Sequence, residues 1–120
     1  MKKIGVLLIM MTVILSACSN NDDKYQKNIN KVLDIQKETH KEMAKQNSDV
    51  VKEFDKKNTN VYVYKNGKLI IIGYKLFKDK DQIFLATYEF KNDKIYYKRD
   101  INPEKYVKEH KADYKKERVK

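Results

Sequence analysis

The sequence predicts an α+β domain in which one long N-terminal helix packs on a four-stranded antiparallel meander, with a short helix near the C-terminus. Three observations carry this. Apolar or neutral residues recur every three or four positions from Tyr25 to Phe54. After Asn58 the spacing changes to two, and the residues become β-branched and aromatic. Asn, Asp, Gly and Lys then punctuate the chain at short intervals, as tight turns require.

In the first segment the stripe runs Tyr25, Ile29, Val32, Gln36, His40, Met43, Asn47, Val50 and Phe54, widened by Leu33, Ala44 and Val51. That spacing matches one face of a helix with 3.6 residues per turn. Asp22 or Asp23 suits its N-terminal cap, and Lys52, Lys56 and Lys57 lie towards the end where cations are favoured. Gln46-Asn47-Ser48 is the expected bend.

Val61-Tyr62-Val63-Tyr64 and Leu69 to Phe77 read as two strands joined by Lys65-Asn66-Gly67-Lys68. Asn-Gly between two such runs is a strong hairpin signal, because a type I′ turn needs positive φ at both central residues. Lys78-Asp79-Lys80-Asp81 turns the chain into a third strand, Gln82 to Phe90, and Lys91-Asn92-Asp93-Lys94 into a fourth, Ile95 to Ile101. Asn102-Pro103 ends the sheet, and a short helix is expected over residues 103–114. Residues 115–120 read as a basic tail. A helix laid on one sheet face buries both apolar surfaces, so residues 25–114 form one domain.

Ahead of this domain, Lys2 and Lys3 precede an apolar run from Ile4 to Ile14, interrupted only by Gly5 and Thr12. A positive start, about 7–15 apolar residues and a small-residue cut site define a secretory signal, here residues 1–17. The run falls short of the about 20 residues that a membrane-spanning helix needs. Leu15-Ser16-Ala17-Cys18 follows, and the composition then flips to Ser19-Asn20-Asn21-Asp22-Asp23-Lys24. This tetrad resembles the lipobox of bacterial lipoproteins. The resemblance implies that a diacylglycerol is attached to the Cys18 thiol and that a peptidase cuts between Ala17 and Cys18. It also implies a chain anchored to the outer face of the cell membrane. Two acyl chains make such anchoring stable. Cys18 is the only cysteine in the chain, so no internal disulfide supports the fold. Residues 18–24 form a polar leash of at most about 20 Å between lipid and domain. Loss of Lys2 and Lys3 takes the 27 basic side chains to 25 against 17 acidic ones, a net charge of +8. Basic groups held near an anionic surface each add about 1 kcal/mol of attraction.

Signals for catalysis are absent from the sequence. Its two histidines, His40 and His110, belong to no His-x-x-x-His or Glu-x-x-His grouping, so no metal site is expected. The only thiol is consumed by lipid in this reading, Ser48 has no adjacent base, and glycines at 5, 67 and 73 build no phosphate loop. No enzyme and no cofactor is expected.

Tyrosine is the residue type that stands out. Tyr62, Tyr64, Tyr74, Tyr88, Tyr96 and Tyr97 all fall in predicted strands. By alternation Tyr62 and Tyr64 share a face while Tyr96 and Tyr97 point oppositely. A row of these tyrosines with lysines on the sheet face away from the helix is a candidate binding face for a peptide, sugar or polyanion. The alternative is that they are half-buried cross-strand pairs, each contributing about 0.2–1 kcal/mol. Lys94 to Arg99 carries residue types that stack on bases and contact phosphate. Export nevertheless makes a nucleic acid an unavailing partner, and cell-wall polymer or anionic lipid the more accessible polyanion.

The order of parts (lipobox, long helix, four-stranded meander with Asn-Gly in its first hairpin) resembles the small lipoproteins of Gram-positive bacteria with a cystatin-like fold. That resemblance implies a cell-surface lipoprotein of a family without a settled molecular function. Protease inhibition is not implied. Inhibitory cystatins use a free glycine-bearing N-terminus, a Gln-x-Val-x-Gly first hairpin and a Pro-Trp second hairpin. Here the first hairpin reads Val63-Tyr64-Lys65-Asn66-Gly67-Lys68, and there is no tryptophan. The functional expectation is a membrane-anchored, non-enzymatic module that holds a protein or peptide partner. Charge-driven association with anionic lipid or wall polymer is the second reading, and a small enzyme of a related cone-shaped fold the third.

Overall fold

The computed structural model describes residues 2–119, with side chains from Lys24 onward. The predicted signal, Ala17, Cys18, the Asp22/Asp23 cap and all of the leash but Lys24 therefore lie outside the described side chains. Helix α1 spans Lys2–Gln46, so it runs through Asp22 and Asp23 instead of starting at a cap there, and residues 18–24, expected as a leash, are helical. No glycine or proline interrupts residues 6–46. No helix among the described residues is long and apolar enough to cross a membrane.

Strands β1 (Asn60–Tyr64), β2 (Leu69–Lys75), β3 (Ile83–Lys91) and β4 (Lys94–Lys98) form the predicted antiparallel meander. Helix α2 follows at Pro103–Glu109. The sheet has a fifth strand, β5 (Tyr114–Lys116), and its order is β4-β3-β2-β1-β5. Residues 115 and 116, expected in a frayed tail, are thus paired: Val61 faces Lys116, and Val63 faces Tyr114. The cause lies partly outside the strand. Buried Asn60 accepts from the Arg118 and Val119 backbone N–H groups at 2.6 and 2.7 Å, tying the chain end to β1. Asp113 N–H donates to the Val63 carbonyl at 2.7 Å and begins the pairing.

Helix α1 lays Tyr25, Ile29, Val32 and Leu33 against Val61, Val63, Ile70, Ile72 and Tyr88. The predicted helix ran to Phe54; it stops at Gln46. The Asn47 side chain accepts from the Asp49 N–H at 2.9 Å, a local bond that competes with helix continuation. Val51 N–H then donates to the Leu76 carbonyl, and Lys78 N–H to that of Asp49. Val50 and Phe54 still pack on the same core, so the apolar spacing outlasts the helix.

A second cluster lies on the other face: Tyr62, Tyr64, Leu69 and Ile71 beneath Ile101, Tyr106, Val107 and Ala112. The sheet is therefore covered on both sides, rather than on the α1 side alone. Asn102 caps α2 by accepting from the Lys105 N–H at 3.2 Å, and Pro103 occupies its first turn. The helix ends at Glu109 instead of Tyr114, which frees residues 114–116 to pair with β1.

Both hairpin turns use positive φ, as expected for Asn66-Gly67 and found also at Asn92-Asp93. Lys65, Asn66 and Gly67 have φ of 51, 59 and 95°, and Lys68 N–H donates to the Lys65 carbonyl at 3.2 Å. This turn meets the helix: Asn28 donates to the Gly67 carbonyl at 3.0 Å, and Lys24 and Tyr25 donate to Asn66 Oδ1. Asn92 and Asp93 (φ 53 and 61°) form the tighter, two-residue turn between paired Lys91 and Lys94.

Candidate functional site

A groove of about 430 Å³ lies between α1 and the β3–β4 side of the sheet. Its helix wall is the row Ile35, Thr39 and Met43, spaced four residues apart and flanking the buried stripe. Tyr74, Phe84, Tyr88, Tyr97 and Arg99 build the sheet side. Strand β4 ends at Lys98, so little polypeptide covers the outer flank of α1 there. Of the four large hydrophobic side chains exposed among the described residues, Ile35, Met43 and Tyr97 line this groove, with 36, 36 and 53 % of their surface accessible.

Gln36 lies at the base and is 2 % exposed. One end of its amide meets the Tyr88 hydroxyl at 2.7 Å, while the other has no partner among the described residues. A buried amide group left unpaired costs about 1–3 kcal/mol, and this one is closed off by its neighbours. Burial pushes the Tyr74 hydroxyl up to about 12, with a smaller push from neighbouring Tyr97 and an opposing pull from Gln36. Tyr88 is raised further, again chiefly by burial, with Tyr74 and Tyr97 adding to it. Both are neutral hydroxyls at ordinary pH.

The groove borders a free strand edge. Closure of β3–β4 by a two-residue turn makes Lys91 and Lys94 the hydrogen-bonded pair, and bonding then alternates along the strand. Ile95 and Tyr97 accordingly direct their backbone N–H and C=O groups away from β3. No strand among the described residues pairs with that edge.

The six tyrosines singled out from sequence do not form one exposed face. Tyr62 and Tyr64 do share a face, but α2 and the chain end cover it. Tyr64 sits edge-on to Tyr106 at 4.9 Å. The Tyr62 hydroxyl donates to Glu117 at 2.9 Å and is raised to about 12, first by burial and then by that carboxylate. Tyr74 and Tyr88 point the other way, beneath α1, and are 8 and 3 % exposed. Tyr96 and Tyr97 lie on opposite faces, as alternation requires, and only these two are exposed. Tyr97 stands beside Tyr88 with ring centroids 5.5 Å apart. Ile35 and Thr39 carried no functional expectation. The available signal was an i, i+4, i+8 row, Ile35-Thr39-Met43, running beside the main stripe.

His40 is fully buried between Phe54 and Tyr74, with ring centroids 5.7 and 5.8 Å away. Burial lowers its pKa, with the Val51 backbone opposing. His110 is remote, stacked on Tyr106 at 3.9 Å. Among the described residues no group of three or more His, Cys, Asp or Glu is placed to hold a metal ion.

This architecture has known counterparts. Residues 25–118 match the family described as a domain of unknown function with cystatin-like fold (DUF4467). The chain belongs to that family. It is similar to a DUF4467 family protein from Staphylococcus aureus whose crystal structure is known, at 40% sequence identity and a TM-score of 0.75. The likeness covers 80% of this chain and 99% of that one, so a DUF4467 domain forms this fold with almost no additional polypeptide. A search of curated proteins finds no match.

Proposed function

We propose that this DUF4467 chain is a non-enzymatic binding module, tied through lipid on Cys18 to the outer face of the cell membrane. Its groove receives an extended, partly apolar segment of a protein partner. The observation that carries the reading is the convergence of Ile35, Met43 and Tyr97 on one groove beside a free strand edge. In this mode the segment pairs with the outward backbone groups of Ile95 and Tyr97. It seats an apolar side chain between Ile35 and Met43. Main-chain pairing supplies affinity and the side-chain pocket selectivity. The titratable groups nearest the groove base are tyrosines held neutral, which supports binding over catalysis.

The test is a photo-crosslinking amino acid placed at Thr39 or Met43 of the full chain in cells, with Lys80 as a remote control site. A protein adduct at the two groove positions, absent at Lys80 and lost on Tyr97→Ala, is the expected result. Adducts of equal yield at all three positions would remove the groove from consideration.

A further inference from the structure

The end of the domain where the chain arrives from Cys18 is chemically distinct from the opposite end. Lys24 and Tyr25 bond to Asn66 at the tip of the β1–β2 hairpin. The β3–β4 tip lies beside it, since Leu69 pairs with Glu89 and Phe90 N–H donates to the Lys68 carbonyl at 2.7 Å. Lys65, Lys68, Lys91 and Lys94 are thereby gathered at the helix-entry end, and all four are exposed. No carboxylate among the described residues lies within ion-pair distance of any of them, whereas towards the other end Lys75 pairs with Asp81 and Lys98 with Asp100. Of the acids with described side chains near the tips, Asp113 already accepts from the Asn66 N–H at 2.8 Å and Glu89 lies 3.8 Å from the Lys98 ammonium, which leaves Asp93.

We infer that the two hairpin tips form a docking surface for anionic phospholipid headgroups, with Lys65, Lys68, Lys91 and Lys94 as the contacting groups. Placement and charge argue for this occupant. Residues 19–24 continue α1 and rise about 9 Å as helix. Even fully extended they would reach at most about 20 Å, so a lipidated Cys18 keeps these lysines near the headgroup plane, within about two Debye lengths. Four unpaired ammonium groups on one end complement a negative surface and lose little on approach, because none leaves a salt bridge. The inference rests on Cys18 as the anchor. It also orients the proposed groove, which then stands to the side of the domain, with β4 rising away from the membrane.

Soluble residues 19–120 and sedimentable vesicles test it, because the family's domain folds without further chain. Vesicles of phosphatidylcholine alone are compared with vesicles also containing phosphatidylglycerol. Selective, salt-sensitive binding to the anionic vesicles is expected. Lys→Gln at 65, 68, 91 and 94 weakens it on the order of fivefold per lysine. The same change at Lys52, Lys75, Lys78 and Lys80 leaves most of it. Equal binding to neutral vesicles, or equal loss in both variants, overturns the inference. Lipidation is read separately, from labelled fatty acid incorporated into the full chain and its loss on Cys18→Ser. Vesicle selectivity without label removes the anchor and leaves the docking surface; label without selectivity does the reverse.

Discussion

The two faces of this sheet are covered by very different means. On one lies α1, whose described part packs over β1, β2 and β3. The other is closed by the seven-residue α2 together with Ile101 and Ala112. The longer element leaves more undone. Beneath α1, the Gln36 amide nitrogen and both His40 nitrogens are buried without partners among the described residues, and Ile35 and Met43 stay exposed along its flank. Beneath α2, the Thr87 hydroxyl is the one such atom among the described residues. A straight rod touches a twisted sheet along a line, whereas a short helix flanked by irregular chain follows its contour. Incomplete cover concentrates the groove and the unpaired polar atoms on the α1 side.

Matched deletions probe this contrast most strongly. Ile72 faces α1 and Ile71 faces α2, and both are fully buried. Each Ile→Ala change should cost about 2–5 kcal/mol in denaturant unfolding. A near-neutral Ile71→Ala would show that α2 does not seal its face. Gly67→Ala comes next, at about 1–2 kcal/mol. Gly67 has φ of +95°, and an added Cβ would lie 3.2 Å from the Tyr25 ring, which loosens the helix entry from the hairpin.

The pH response singles out the α1 face. His40 has a lowered pKa when folded, so below its ordinary value of 6.5 the unfolded chain takes up a proton that the native state resists. Stability should therefore fall as pH drops from 6.5 towards the folded pKa, by at most about 1.4 kcal/mol per pH unit, and level off below it. His40→Leu should flatten that part of the profile, as thermal unfolding across the range would show. An unchanged slope would mean that other groups set it. The smallest expected effect is on stability in Tyr97→Ala, within about 0.5 kcal/mol because the ring is half exposed. The same change should weaken partner capture at least tenfold, as a central aromatic contact does. Equal losses in stability and capture would make Tyr97 a packing residue.

Elements whose information is local were legible in the sequence. The α1 stripe through Tyr25, Ile29, Val32 and Leu33, the four meander strands and both positive-φ turns follow from spacing and turn chemistry alone. What escaped depends on remote partners. Strand β5 has one large apolar residue, Tyr114, flanked by lysines, and is held by Asn60 from the far end of the domain. The end of α1 was hidden because Val50 and Phe54 keep helical spacing while packing from extended chain. The burial of Tyr62 and Tyr64 was missed because alternation assigns a side but not what covers it. The groove was missed for a similar reason: it exists where cover stops, and absence of cover leaves no pattern in the chain.

Strand β5 has a consequence for how the protein survives in a crowded compartment. Without it, β1 would present Val61-Tyr62-Val63-Tyr64 along an open border, the sort of short, uncharged, β-prone run that templates aggregation. Three residues of β5 occupy that border and replace it with one bearing Lys115 and Lys116, whose charges repel an incoming strand. The chain end thus works as a guard rail, and proteolytic trimming back to Ala112 is expected to promote self-association through β1 while sparing every residue of the groove.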